Sequence, residues 1–239
     1  MTLTVSAAAV LAALSLLLLL FREGVRGHRL LLCVFPVVLA FLLRLLCMDH
    51  VTYDYVDFLS RWWETFRELG GFSAIRLDVG NYNVPYLYFL AAISYLPGNP
   101  LHLIKIFSLC FDVVLAWGGL RLARVFCPAG SIRPAVAFCL LLLLPTVVLN
   151  GAFWGQCDSI YAALCIHALA CALDRKPGAS VVLLAAAFSF KLQAIFLLPL
   201  WCVFWFTGRM KARHIPLFPL TYFLFLLPAL LLGKPLEDA

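Results

Sequence analysis

The chain has 239 residues, of which 64% are hydrophobic and only 13% charged, and its mean hydropathy is +1.01. A soluble domain carries about 25% charged residues, so this composition excludes a water-soluble globule, a disordered tail and a collagen-like fibre. The net charge of +6 does not point to nucleic acid. The basic residues lie in short loops between apolar runs, where they orient a membrane protein instead.

Apolar runs near the length of a bilayer span recur along the whole sequence. They predict an all-α, polytopic helical membrane protein forming one domain over residues 1–239, with about seven to nine transmembrane or half-spanning helices. The first run, Leu3–Phe21, lacks a basic flank before it and exceeds a signal-peptide core, so it reads as a helix. The loop Arg22–Arg29 carries three arginines and is expected on the cytoplasmic side. Leu30–Cys47 then runs outward, with Arg44 near its outer end, where the side chain can snorkel.

Residues 48–84 break the pattern and form the first large external loop. The segment holds six of the twelve acidic residues, among them Asp49, Asp54, Asp57 and Asp78, together with many aromatics. A connection this long is functional or disordered, and the aromatics argue against disorder. From about Tyr55 to Leu69, the residues Phe58, Trp62, Phe66 and Leu69 share one helical face, and Gly70-Gly71 supplies a stop. An amphipathic helix lying in the membrane interface is expected.

Val84–Pro97 is short for a span, and Pro85 can start its helix. Leu101–Leu120 carries Lys105 and Asp112. Pro134–Leu149 leads into the polar turn Trp154-Gly-Gln-Cys-Asp-Ser159, and Ile160–Leu173 follows it. Ala179–Phe206 is 28 residues long, with Lys191 and Gln193 in its middle, and Ile215–Leu232 is the last span. Four basic loops (22–29, 121–133, 174–177 and 207–214) hold eleven of the eighteen Lys and Arg. All four fall on one side only if Val84–Leu120 makes one net crossing and Ala179–Phe206 makes none or two. Broken helices lining a polar cavity would achieve this.

A charge at the bilayer centre costs at least ~2.5–3.5 kcal/mol, so Arg44, Lys105, Asp112 and Lys191 each need a partner. Lys105 and Asp112 are too far apart along one helix to pair directly, so Asp112 is expected to meet a donor on another helix. Lys191 is expected either to pair with Asp112 or Asp158 or to hold an anion such as a lipid phosphate. The acidic loop can be a solvated face, a divalent-cation site built on Asp54 and Asp57, or the source of a general base. Gln156 and Asp158 are expected beside it on the outer side. Carboxylates at the interface near a buried cation suit hydroxyl attack on a substrate held by its phosphate. The nine cysteines form no Cys-x-x-Cys pair and read as packing residues, and the five histidines are never at ligand spacing. No P-loop, Gly-x-Ser-x-Gly, His-Glu-x-x-His or Rossmann fingerprint is present.

Four strings occur in order: Asp54-Tyr-Val-Asp-Phe-Leu-Ser-Arg-Trp-Trp-Glu64 with Asn81-Tyr-Asn-Val-Pro-Tyr-Leu-Tyr88, then Leu144-Pro-Thr-Val-Val-Leu-Asn150, Trp154-Gly-Gln-Cys-Asp-Ser-Ile-Tyr161 and Phe188-Ser-Phe-Lys-Leu-Gln193. Over about Leu30 to Phe206 they resemble the GT-C glycosyltransferases. The nearest likeness is to the bacterial mannosyltransferase-like group related to the second mannosyltransferase of GPI-anchor synthesis. The resemblance implies an inverting transferase that uses a polyprenyl- or dolichyl-phosphate sugar, moves a hexose (mannose foremost), and delivers it to a lipid-linked or surface glycan acceptor. The enzyme would sit among membrane lipids, with its site on the outer face of a bacterial cytoplasmic membrane, or in the ER membrane of a eukaryote. The resemblance implies no cofactor, although the residues leave a divalent cation open. By the same resemblance Asp54 is the catalytic base, with Asp57 less well matched. Lys191 holds the donor phosphate, and Gln193, Gln156, Asp158, Trp154 and Tyr82 contact substrate. Leu3–Phe21 is then an extra span ahead of the family's first helix, and the family's further C-terminal helices are missing. An anionic-lipid transporter or flippase, and a non-catalytic membrane subunit, are the alternative functions.

Overall fold

The computed structural model describes residues 2–238, and among the described residues all regular structure is helical. Helix α1 (Thr2–Leu17) continues through a wide i→i+5 turn, Leu18–Arg22, and α2 (His28–Cys47) packs beside it. Phe21, Leu31, Leu32, Phe35 and Leu46 on this pair point outward and are exposed. An apolar sleeve of this kind is what a bilayer accepts and water does not.

Four segments are long and apolar enough to cross a membrane: Thr2–Arg22, His28–Cys47, Pro100–Val125 and Ala212–Leu231. A fifth is obtained if Arg133–Leu143 and Pro145–Trp154, bent by 47°, count as one span. Proline causes that bend. Pro145 has no N–H to continue the ladder and pushes Leu144 to φ −58°, ψ 120°, which ends α6 (Arg133–Leu143) and restarts the chain as α7 (Pro145–Val148).

Helix α5 (Pro100–Val125) is the central post. It lies against α6 and, in parallel, against α8 (Asp158–Leu173). Gly118 permits the second contact, because a Cβ there would come within 3.0 Å of Ile166.

The four basic loops converge on one end of the bundle. Arg124 pairs with Glu23, and Arg29 donates to the carbonyl of Gly130 at 2.6 Å. Arg121 reaches Asp174 at 3.4 Å, and Gly178 abuts Leu217. Met210 packs in one cluster with Ala172 and Val181. The acidic segment occupies the opposite end. There Lys105 donates to the carbonyls of Cys47, Met48 and His50, and His102 binds Asp49 at 2.8 Å. Lys234 closes the same end on the carbonyl of Leu77.

Two short elements make this arrangement possible, as the charge pattern requires. Helix α4 (Val84–Ile93) stays at the acidic end. It leads to Tyr95, whose hydroxyl donates to the Gly70 carbonyl at 2.9 Å, and α5 then makes the only traverse between residues 84 and 125. Gly71, at φ +62°, lies against that tyrosine, where a Cβ would meet its ring at 2.2 Å. The long run 179–206 is broken. Helix α9 (Pro177–Phe190) ends at Lys191, which is extended at φ −153°, ψ 124°. A tight 3₁₀ turn and α10 (Leu198–Phe206) then fold back, and Trp201 Nε1 donates to Ser180 Oγ at 2.9 Å. The hairpin returns to the basic end, and α11 (Leu217–Leu231) runs from there to the acidic end.

The amphipathic helix is present with its buried face rotated. It comprises a wide turn, Tyr55–Leu59, followed by α3 (Ser60–Glu68). Leu59, Trp63 and Phe66 are buried against Ile75, Leu87 and Ile93. Phe58 and Leu69, expected on that face, are exposed. Leu59, Trp63 and Phe66 keep ordinary i, i+4, i+7 spacing on a face rotated from the expected one, and Phe58 and Trp62 line a cavity instead.

Candidate functional site

The acidic end holds a cavity of about 640 Å³. Asp54, Gln156, Lys191 and Gln193 line it, together with Asn81, Tyr82, Asn83, Phe58 and Trp62. Four chain segments meet here: the start of the 55–59 turn, the approach to α4, the turn before α8 and the break after α9.

Each polar group is placed by a local cause. Gly155, in the left-handed region at φ +74°, ends the wide turn Leu149–Trp154 and swings Gln156 inward. The Gln156 backbone is then held at both ends. Its N–H donates to the Asn150 carbonyl at 2.9 Å, and its carbonyl accepts from Ser108 Oγ at 2.8 Å. Its side chain bridges two site residues. Oε1 accepts from the Tyr82 hydroxyl at 2.6 Å, and Nε2 donates to Asp54 Oδ2 at 3.1 Å. Burial, followed by the neighbouring Cys157 and Asp158, pushes the Tyr82 phenol far above its ordinary range. A phenol is a donor at neutral pH and this shift extends that to higher pH, so the amide is fixed with its N–H toward Asp54. Asp54 itself is half-buried, and it also lines a second cavity beside this one.

Lys191 pairs with Asp158, and its ammonium lies 5.8 Å from the Tyr161 ring. Asp158 also accepts from Asn150 Nδ2 at 2.8 Å. Of the two partners expected for Lys191, Asp112 is already occupied. Its carboxylate takes Arg44 Nε at 2.9 Å and the Ser159 hydroxyl at 2.5 Å. Arg44 therefore does not snorkel. It is fully buried, and it also donates to the carbonyls of Ala40 and Leu142. Its place near the end of an apolar run is misleading because α5 and α6 cover it.

Asp57 stands apart. It is exposed, lies 3.8 Å from Arg61 and lines neither this cavity nor the one beside it. Arg61 serves Asp57, since a helical turn puts residues four apart together. A divalent-cation site on Asp54 and Asp57 is therefore not assembled. Among the described residues no three His, Cys, Asp or Glu side chains come together as a metal-holding group. Trp154 lies on the far side of Asp54, in the second cavity. Asp158 sits behind Lys191, where it acts as that residue's counter-ion.

Sequence reasoning assigned no role to Asn150, Asn83 or the hydroxyl of Ser108. Asn150 closes an apolar run eight residues before Asp158 and ends one of the four strings, and these were its signals in the sequence. Asn83 Nδ2 donates to the Phe188 carbonyl at 3.3 Å and ties the α4 entry to the Lys191 break. Cys157 is buried and pushed up to about 11 by that burial, so it is no thiolate nucleophile at neutral pH.

Chemically, the cavity presents a half-buried aspartate and a lysine whose side chain is about one-fifth exposed. Its rim at Leu192, Ile195 and Phe196 is apolar and exposed. A base, a cation and a greasy lip suit an anionic amphiphile that undergoes proton-coupled displacement. Comparison with family models, with curated proteins and with solved structures finds no match for the chain.

Proposed function

We propose that the chain is a membrane glycosyltransferase. In this reading it moves a hexose from a polyprenyl-phosphate sugar to a lipid-linked or surface glycan acceptor. The observation that carries the reading is that Asp54 and Lys191 line one cavity with an exposed apolar rim at the acidic end of the bundle.

The polyprenyl tail rests on Leu192, Ile195 and Phe196, which are already suited to acyl chains. The phosphate takes Lys191 in place of Asp158, and Asn150 retains the displaced carboxylate. Asp54 accepts the proton of the acceptor hydroxyl. That oxygen forms a bond to the anomeric carbon from the face opposite the phosphate. The carbon–oxygen bond to phosphate breaks, its electron pair leaves on the phosphate oxygen, and the configuration inverts. Lys191 stabilises the charge that develops on that leaving group. The basic loops share the opposite end, and the positive-inside bias supports reading the site as non-cytoplasmic.

A transporter using Lys191 and Asp112 along one path is disfavoured, because Asp112 is sealed against Arg44 with no exposed surface. Purified protein incubated with radiolabelled polyprenyl-phosphate-mannose and membrane lipids tests the proposal. Label appearing in a new product supports transfer. Unchanged donor crossing the bilayer supports the transporter, and an inert mixture supports the non-catalytic subunit.

A further inference from the structure

We infer that the second cavity at the acidic end is a subsite for a pyranose ring of the acceptor, with Trp154 as its stacking platform. The inference rests on the transferase reading above.

This cavity, of about 720 Å³, is lined by His50, Thr52, Tyr53, Phe153 and Trp154. Asp54 is the one residue it shares with the cavity that holds Lys191. Asp54 therefore lies at the junction of two open cavities. One chamber carries a cation and an apolar rim. The other has no cation and is rich in aromatic faces.

Contacts tie the walls of the second cavity to each other. The His50 ring stacks on Phe153 with centroids 3.7 Å apart, and Thr52 Oγ1 reaches the Trp154 carbonyl at 3.5 Å. Lys105 fixes the segment from below through the carbonyls of Cys47, Met48 and His50. The two walls, 50–56 and 153–154, are thus tied to each other and to α5. Within this frame Tyr53 is 88% exposed and Trp154 is 49% exposed. Aromatic faces beside a carboxylate give the cavity the mix of apolar lining and a few polar groups that a small-ligand site carries.

Chemistry selects the occupant. An alkyl chain against Asp54 would desolvate the carboxylate and offer it no hydrogen bond. A pyranose presents an apolar C–H face to the indole and hydroxyl groups to Asp54, Thr52 and His50. One of those hydroxyl groups donates to Asp54, whose Oδ2 already takes the Gln156 amide. A base must touch the hydroxyl it deprotonates, and this chamber gives the acceptor an approach that does not cross the phosphate site.

The test uses the full chain in nanodiscs, with methyl α-D-mannopyranoside and methyl α-D-glucopyranoside as probes in saturation-transfer NMR. Ring protons of at least one probe are expected to saturate. Trp154→Leu should weaken that probe about 3–10-fold, the size of an aromatic stacking contact, and Trp154→Phe should retain most of the binding. Tyr53→Ala, at a side chain almost wholly in solvent, provides a second variant that leaves packing alone and should also weaken binding. Binding unchanged in Trp154→Leu, or no saturation in the wild type, overturns the subsite. Donor turnover, read as labelled sugar released to water, is measured on the same samples. If probes bind through Trp154 and no donor is ever turned over, the transferase reading fails and the pyranose site stands. If donor turns over and Trp154→Leu binds as wild type does, the subsite fails alone.

Discussion

Arg44 and Asp112 face each other at 2.9 Å with no exposed surface on either side chain. They come from helices 68 positions apart in the chain and join α2 to the central post α5. Ser159 adds α8 to the same carboxylate, and the Leu142 carbonyl adds α6. One buried ionic cluster thus registers four helices, just beneath the turn that carries Gln156 and Asp158.

That cluster predicts a double-mutant result. Arg44→Leu strands a buried carboxylate and should cost about 3–5 kcal/mol. Asp112→Leu should cost a similar amount by stranding the guanidinium. The double variant leaves no charge unpaired and should recover a large part of the loss. Thermal unfolding in detergent, followed by tryptophan fluorescence, checks this. Additive losses in the double variant would show that the two groups are not coupled.

Tyr82 predicts both a rate effect and a pH effect. Tyr82→Phe removes the donor that orients Gln156, so the amide can turn its oxygen toward Asp54. Transfer should fall about tenfold, the loss of roughly one well-made hydrogen bond. The folded protein holds the phenol proton well above the range where an unfolded tyrosine releases it, about 10. Stability from this source is therefore full below pH ~10 and declines as pH rises beyond it. Denaturant midpoints from pH 9 upward should decline less steeply in Tyr82→Phe. An unchanged slope would mean that Tyr82 is not the group responsible.

The helical architecture was legible because apolar runs near bilayer length have few other solutions. The convergence of basic loops was legible as a parity condition, and the hairpin at 179–206 was implied by a run too long for one crossing and too short for two. The break itself was not, since Phe190-Lys191-Leu192 contains neither proline nor glycine. Tertiary pairing of Lys191 with Asp158 decides it. Arg44 was misread for the same reason: its depth depends on α5 and α6, which sequence position does not reveal. The cluster of Asp54, Gln156, Tyr82 and Lys191 was expected from motif order. The amide bridge between Asp54 and Tyr82 needed coordinates, because its three members lie far apart in the chain.

The closed Lys191–Asp158 pair predicts opposite effects for its two members. A donor phosphate must compete with Asp158 for the ammonium. Lys191→Ala removes the cation and should weaken donor binding at least about tenfold, while Lys191→Arg keeps part of it because charge matters more than shape at this contact. Asp158→Asn removes the competing anion and should leave donor binding equal or tighter. Binding of a fluorescent short-chain polyprenyl-phosphate sugar measures both. Weakened binding in Asp158→Asn would assign the carboxylate a direct ligand contact.

Asp54 and Asp57 provide the sharpest comparison, because they share a turn and a charge but not a surrounding. Asp54 is half-buried, takes the Gln156 amide at 3.1 Å and walls both cavities. Asp57 is more than half exposed and faces Arg61 in solvent. A general base in a positioned carboxylate contributes ~10²–10⁴-fold in rate. Asp54→Asn is nearly isosteric, keeps a polar group against Gln156 and removes the proton acceptor. It should therefore reduce transfer by about that factor while donor binding, expression and thermal unfolding stay near wild type. Asp57→Asn loses only a solvent-screened pair, a contact worth ~0.2–1 kcal/mol, and transfer should change less than about threefold. Single-turnover assays with saturating donor separate the chemical step from binding and release. Retention of more than about a tenth of wild-type turnover in Asp54→Asn is too much for a lost general base. Proton removal would then fall to Asp158, and Asp158→Asn would become the variant that abolishes transfer.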